Sequence, residues 1–342
     1  MSIVAVAAIA AACSDSESGG LGPDPDLIVY DSITIDASTG WAGVRLGEPA
    51  TLVPIVGDPS AAADWELAFN ATAIMLNGGD AGPGDVAGFC LCANASATDD
   101  QVLNMTDASE QAAFLAVDES SIPSADASWQ TDGALLAIDG WYNYNPQTHV
   151  VSAAPEKIFL VRSASGDAFV KFHVTDITGS TVTFEYAVAP SADQPFGAAQ
   201  TAQATISDDA PAWFDLETGT VSSTEDPTTW DFAFVGYSIE VNGGSSGGGS
   251  AGAAALDVPF ADFTSMDGIP SSAFTADGFG GVFVESPWFR YNLLGDDHHI
   301  WPTFNVYLIR TGDDVYKIQL TSYYDLNGSA RRITFRYQKL GA

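Results

Sequence analysis

Apolar and polar residues alternate with a period of two along much of the chain. In "TVTFEYAV" (181–188), Val182, Phe184 and Tyr186 fall on one face, and Thr181, Thr183 and Glu185 on the other. Arg332, Thr334 and Arg336 alternate in the same way with Ile333, Phe335 and Tyr337. This pattern predicts half-buried antiparallel strands. Turn signals at 163–167, 177–180, 311–314 and 325–329 separate the runs and predict hairpin connections. Helical periodicity is nearly absent; residues 99–118 are the best candidate for one or two short helical turns. The fold class is all-β with little helix.

The pattern is written twice. "WELAFNATAIMLNGG" (65–79) and "WDFAFVGYSIEVNGG" (230–244) share Trp, an acid, an Ala-Phe pair and Asn-Gly-Gly twelve residues after the Trp. "TIDASTGW" (34–41) pairs with "TISDDAPAW" (205–213), and "WYNYN" (141–145) with "WFRYN" (288–292). "KIFLVRS" (157–163) pairs with "NVYLIRT" (305–311), "VKFHVT" (170–175) with "YKIQLT" (316–321), and "TFEY" (183–186) with "TFRY" (334–337). The order is the same in both copies, so the chain is a tandem duplication. Two antiparallel β modules are expected, at 31–190 and 203–342, joined by a Pro- and Gln-containing linker at 191–202. The glycine-rich tracts at 77–88 and 242–255 hold the same place in each copy. They read as loops within the modules, where glycine permits positive φ.

Composition narrows the function. Forty-four acids stand against eleven bases, for a net charge of −33. Nucleic acid is excluded as a partner, because a phosphate backbone needs a basic footprint. Seven of the eleven bases lie between Arg290 and Lys339, so an anionic ligand is better held by the C-terminal half. No Ser/His/Asp context, clustered metal motif or phosphate-cradling loop leading into a helix is present, and an enzyme is not expected.

The opening run "MSIVAVAAIAAAC" is shorter than the roughly 20 apolar residues of a membrane-spanning helix. It fits a secretory signal at 1–12. Its "AAAC" ending resembles a bacterial lipobox, which makes Cys13 the lipid-carrying residue. The polar, Gly/Pro-rich stretch 13–30 then reads as a flexible tether. Membrane contact is expected through this anchor alone. Cys90 and Cys92 share one strand face; a bridge across one residue is strained, and the pair reads as small core residues or a chance pair, with a soft-metal or redox site as the alternative.

Taken together, the repeated blocks resemble the HmuY-like family of bacterial lipoproteins, some of which capture heme at the cell surface. The carrying features are Thr-Ile-Asp-Ala-Ser, Trp-acid-x-Ala leading to Asn-Gly-Gly, a Trp-aromatic-x-aromatic strand, an apolar strand ending in Val-Arg, Lys in the next strand, and Thr-Phe-x-Tyr. The resemblance implies two tandem HmuY-like modules, lipid anchoring to the outer membrane, and heme binding for iron acquisition, with heme or a heme-carrying protein as partner. An alternative is a surface interaction module that keeps the scaffold, has lost heme and contacts a protein or glycan.

Heme iron in a transport site takes axial ligands such as His or Met. The resemblance places one ligand at the fifth position after the Trp of the aromatic strand, where this chain has Pro146 and Leu293. Substitutes lie in the same loop: His149 follows Trp141, and His298 and His299 follow Trp288. Trp141, Tyr144, Trp288 and Tyr291 are candidates to line a flat-ligand surface, and Arg290 is a candidate propionate partner. His173 sits on the polar strand face with Lys171 and Thr175 and reads as a solvated or satisfied strand residue. Met75 and Met266 read as core.

Overall fold

The computed structural model describes residues 30–341 apart from residue 58. The signal segment, Cys13 and nearly all of the tether lie outside the described residues. The regular structure of the described chain is mostly antiparallel strand, with short helices at Asp99–Asn104, Asp107–Leu115 and Val282–Glu285. The first two fall within the stretch singled out by its helical pattern. Thr98 and Thr106 close a capping box at the start of each, which is why so short a segment turns twice.

Two equivalent lobes result, each pairing a four-stranded sheet with a five-stranded one. The four-stranded sheets come from the first half of each repeat. One contains Ala42–Arg45 and Leu67–Asn70; its counterpart contains Ala212–Asp215 and Phe232–Val235. The five-stranded sheets mix the repeats. In one, Asp31–Asp36 and Val86–Cys90 of the first repeat flank Ala330–Leu340, Asp314–Tyr324 and Val306–Thr311 of the second. In the other, Gln200–Thr205 and Gly252–Leu256 of the second repeat flank Thr181–Ala189, Phe169–Thr178 and Ile158–Arg162 of the first.

The sequence units 31–190 and 203–342 are therefore not the packing units. Residues 137–280 form one continuous lobe, inserted into a split lobe made of 30–136 and 281–341. The cores follow this division. Phe69 stacks on Phe335 in the split lobe at 5.7 Å, and Phe172 on Phe232 in the inserted lobe at 4.6 Å. The core of each lobe draws on both repeats. The chain passes between lobes where Gly133–Leu135 pairs with Gly278–Gly280. Duplication supplies the reason: both repeats present equivalent edges, and the short connection 190–199 brings Thr181–Ala189 beside Gln200–Thr205 at little loop-closure cost.

The repeated Trp-acid…Asn-Gly-Gly motif proves structural. Asn77 donates Nδ2–H to the carbonyls of Trp65 (2.8 Å) and Ala62 (3.0 Å), and its Oδ1 accepts from Gly84 N–H (2.9 Å). Asn242 repeats this with Trp230 (2.8 Å), Pro227 (3.2 Å) and Gly249 (3.0 Å). The acid after each Trp, Glu66 or Asp231, accepts from the N–H of Leu46 or Leu216. Gly79 and Gly244 adopt φ of 68° and 71°, and a Cβ there would meet the carbonyl oxygen of Asp132 or Asp277.

Two sequence expectations change. Cys90 and Cys92 form a disulfide, S–S 2.02 Å, just where the Val86–Cys90 strand ends. Lys171 is not on a solvated face: its ammonium is buried against the carbonyls of Phe260 (2.5 Å) and Phe263 (2.7 Å) and over the Phe260 ring. Lys317 does the same in the split lobe, donating to Phe114 O (3.1 Å) and Val117 O (2.7 Å) at the C-terminal end of the second helix. Both outer sheet faces are thus covered, one by the helical segment and one by residues 257–269. His173 is satisfied by Pro155 O (2.7 Å) and Glu185 (3.1 Å) and stacks on Phe260. Met75 and Met266 are buried, as read from the sequence.

Candidate functional site

Each lobe carries one two-stranded hairpin that belongs to neither large sheet. In the inserted lobe, Tyr142–Asn145 pairs with Val150–Ala153; in the split lobe, Phe289–Tyr291 pairs with Ile300–Pro302. These hairpins hold every candidate ligand named above, and the structure sorts those candidates into two groups.

The tryptophans go inward. Trp141 and Trp288 are buried in the cores of their lobes, 2% and 1% exposed, and line no accessible surface. The Trp288 indole N–H donates to Thr72 O at 2.9 Å. Alternation along the hairpin strand leaves open which aromatic face is core, and here the Trp side is. Arg290 is also not free to meet a propionate: its guanidinium bonds the Asp99 carboxylate at 2.6 Å and the Ala97 carbonyl. It ties the hairpin to the start of the first helix.

The tyrosines go outward. Tyr144 and Tyr291 are 52% and 55% exposed. Each phenol oxygen lies 2.6 Å from the Nδ1 of a histidine across the hairpin, Tyr144 with His149 and Tyr291 with His298. The asparagine that follows each tyrosine sets this meeting. Asn145 O accepts from His149 N–H (2.8 Å), while Asn145 Oδ1 accepts from the N–H groups of Gln147 (2.9 Å) and Thr148 (3.1 Å). Asn292 Oδ1 accepts from His298 N–H (3.0 Å), and Asn292 Nδ2 donates to Gly295 O (2.7 Å). Both histidines adopt left-handed backbone, φ 56° at His149 and 48° at His298, which turns the imidazole back over the strand. Sequence reading gave these asparagines no role. Their signal was present, since both "WYNYN" and "WFRYN" end in Asn.

His299 points elsewhere. It stacks on Tyr324 with centroids 4.3 Å apart and lies beside Trp301, half-buried. Among the described residues no group of three or more His, Cys, Asp or Glu is arranged to hold a bare metal ion. Apolar surface accompanies each phenol: Val150 is 56% exposed near Tyr144, and Leu294 is 63% exposed near Tyr291. A shallow cavity of about 540 Å³ runs along the inserted-lobe hairpin past Tyr144, Pro146 and Val150. A cavity of about 270 Å³ lies under the split-lobe hairpin, between Asn94, Phe289 and Asn305.

Residues 44–186 match the family model described as HmuY protein. No curated protein matches the chain. Solved structures similar to it include the apo HmuY analog of Tannerella forsythia, at 11% identity over 92% of this chain and 97% of that one, TM-score 0.33. Two provisionally assigned Bacteroides proteins are also similar. One is a lipoprotein from Bacteroides fragilis, at 18% identity, 48% and 91% coverage, TM-score 0.17. The other is an HmuY-like heme binding protein from Bacteroides vulgatus, at 15% identity, 48% and 95% coverage, TM-score 0.17.

Proposed function

We propose that this chain, which carries HmuY-family sequence across residues 44–186, is a non-catalytic heme-capturing protein of the bacterial cell surface, with one site on each aromatic hairpin. The observation that carries the reading is the repeated outward pair, Tyr144 with His149 and Tyr291 with His298, at the same place in both lobes. Phenol oxygen and imidazole nitrogen are both donors that heme iron accepts. The exposed aliphatic and aromatic surface beside each pair suits the flat apolar part of a porphyrin. The donor set fits the group. Attachment to the outer membrane through lipid on Cys13, and a role in iron acquisition from heme or a heme-carrying protein, complete the proposal. The lipid site rests on the sequence of the first thirteen residues.

The test is a heme titration of the chain lacking its first 24 residues, followed in the Soret and visible bands. A saturable shift supports capture. Pro146 and Leu293, standing where the family resemblance expects an iron ligand, favour a second reading: an interaction module without heme. Spectra indistinguishable from free heme at micromolar protein would select that reading.

A further inference from the structure

We propose that the two lobes are rigid bodies hinged at the crossover ladder, with the Phe279 ring as the contact that seats one lobe on the other. The inference is independent of heme. It makes the span between the two aromatic hairpins adjustable, because each hairpin rides on its own body.

Three observations converge. First, the stabilising contacts stay within lobes. Among the described residues every ion pair joins two groups of one lobe. The hydrophobic clusters obey the same division. Those around Phe335 and Phe114 use only residues of the split lobe, and those around Phe232 and Met266 only residues of the inserted one.

Second, a buried aspartate pins each ladder strand to its own lobe just before the strand begins. Asp132 Oδ2 accepts from Leu76 N–H (2.8 Å) in the split lobe, and Asp277 Oδ2 accepts from Val241 N–H (2.8 Å) in the inserted lobe. The first strand is held again where Asp80 Oδ2 accepts from Ala134 N–H (3.0 Å). Beyond these pins the chain crosses at 135–137 and returns at 278–281, where three of the four residues are glycine. Hinges are a few loop or element-terminal positions that absorb the change in φ and ψ, and small residues suit them.

Third, Phe279 crosses the divide. It belongs to the inserted lobe's ladder strand, yet it packs against Trp65, Ala68 and Met75 of the split lobe. Ala134 stands opposite it in register and has no ring to return the contact. Next to it, Gly280 lies so close to Leu135 and Val284 that a Cβ there would overlap both side chains. Leu135 and Val284 are themselves 41% and 50% exposed, which places this contact at the surface. A junction of one ring, one close approach and a three-pair ladder is not the large apolar interface that holds two bodies rigid.

The experiment is double electron–electron resonance on the chain lacking its first 24 residues, which keeps every described residue and removes Cys13. Nitroxides are placed on Ser180→Cys and Leu326→Cys, exposed turn positions in the inserted and split lobes, with the Cys90–Cys92 disulfide left closed. Asp313→Cys with Leu326→Cys is the control within one lobe, its labels at opposite ends of Asp314–Tyr324 and roughly 35 Å apart by strand rise. The inter-lobe distance distribution should be at least about twice as wide as the control. Phe279→Ala should widen it further and Phe279→Leu less so, with the control distribution unchanged in both. An inter-lobe distribution as narrow as the control, in wild type and in Phe279→Ala alike, would overturn the hinge. A wide distribution indifferent to Phe279→Ala would overturn the seating role of the ring while leaving the hinge.

Discussion

Ile35, near the start of the first repeat, lies directly opposite Ile333, near the end of the second, in one antiparallel ladder. Both are fully buried, in a core shared by the two ends of the chain. The two lobes are therefore built crosswise, and each hairpin site stands on sheets drawn from both repeats.

Crosswise pairing predicts a specific crosslink. Thr34 and Thr334 face each other with hydroxyl oxygens 2.8 Å apart on the exposed side of the ladder. A Thr34→Cys/Thr334→Cys variant should oxidise to a disulfide that shifts mobility on a non-reducing gel. The same-repeat counterpart of Thr334 is Thr183, which pairs with Gln203 instead. Thr34→Cys/Thr183→Cys should stay reduced.

The insertion also predicts that residues 137–280 fold alone. This segment contains its own five-stranded and four-stranded sheets and a buried core in which every member lies within it. Asp277 accepts from Ala137 N–H and Val241 N–H at 2.8 Å, closing the two cut ends. A cooperative thermal transition of the isolated fragment in near-ultraviolet circular dichroism is expected. A flat, molten baseline would show that the split lobe is required.

Asn77 and Asn242 each satisfy three backbone groups while almost wholly buried. Substituting either by Ala strands those groups, each at about 1–3 kcal/mol. A loss of at least about 2 kcal/mol in urea denaturation is expected for each variant.

Stability should also fall as pH rises through the neutral range. Burial raises Asp132 from 3.8 to about 7 and Asp231 from 3.8 to about 6. Between the unfolded value and these raised ones the folded state binds more protons than the unfolded state. Stability from these groups is thus full below pH 4 and is lost as pH rises through about 6 for Asp231 and about 7 for Asp132. Hydrogen bonds from Ser38 and from Ser329 hold Asp36 and Asp325 below their ordinary value, so those groups act oppositely only in acid. The urea midpoint should be higher at pH 5 than at pH 8, and Asp132→Asn should narrow the gap.

Much of this was legible in the chain. Period-two alternation and turn residues marked the strands, the stretch 99–118 marked the helices, and the duplication announced two β lobes. The exchange between repeats was not legible, because duplicated edges are chemically equivalent and alternation does not say which copy a strand meets. Lys171 read as part of a polar strand face because it alternates with core residues; Lys317 and Arg336 occupy the same kind of position. They are buried because a separate segment, distant in sequence, closes over each outer face. The hairpin histidines were found from their shared loop. Their pairing with Tyr144 and Tyr291 depends on left-handed turns at positions that sequence spacing does not mark.

The stoichiometry of ferric heme on the chain lacking its first 24 residues is the most direct measurement, taken from Soret absorbance at increasing heme-to-protein ratios. One site on each lobe predicts a break at two equivalents, moving to one in Tyr144→Phe or Tyr291→Phe. A curve with no break, running parallel to heme in buffer, would contradict the assignment of these hairpins as heme sites.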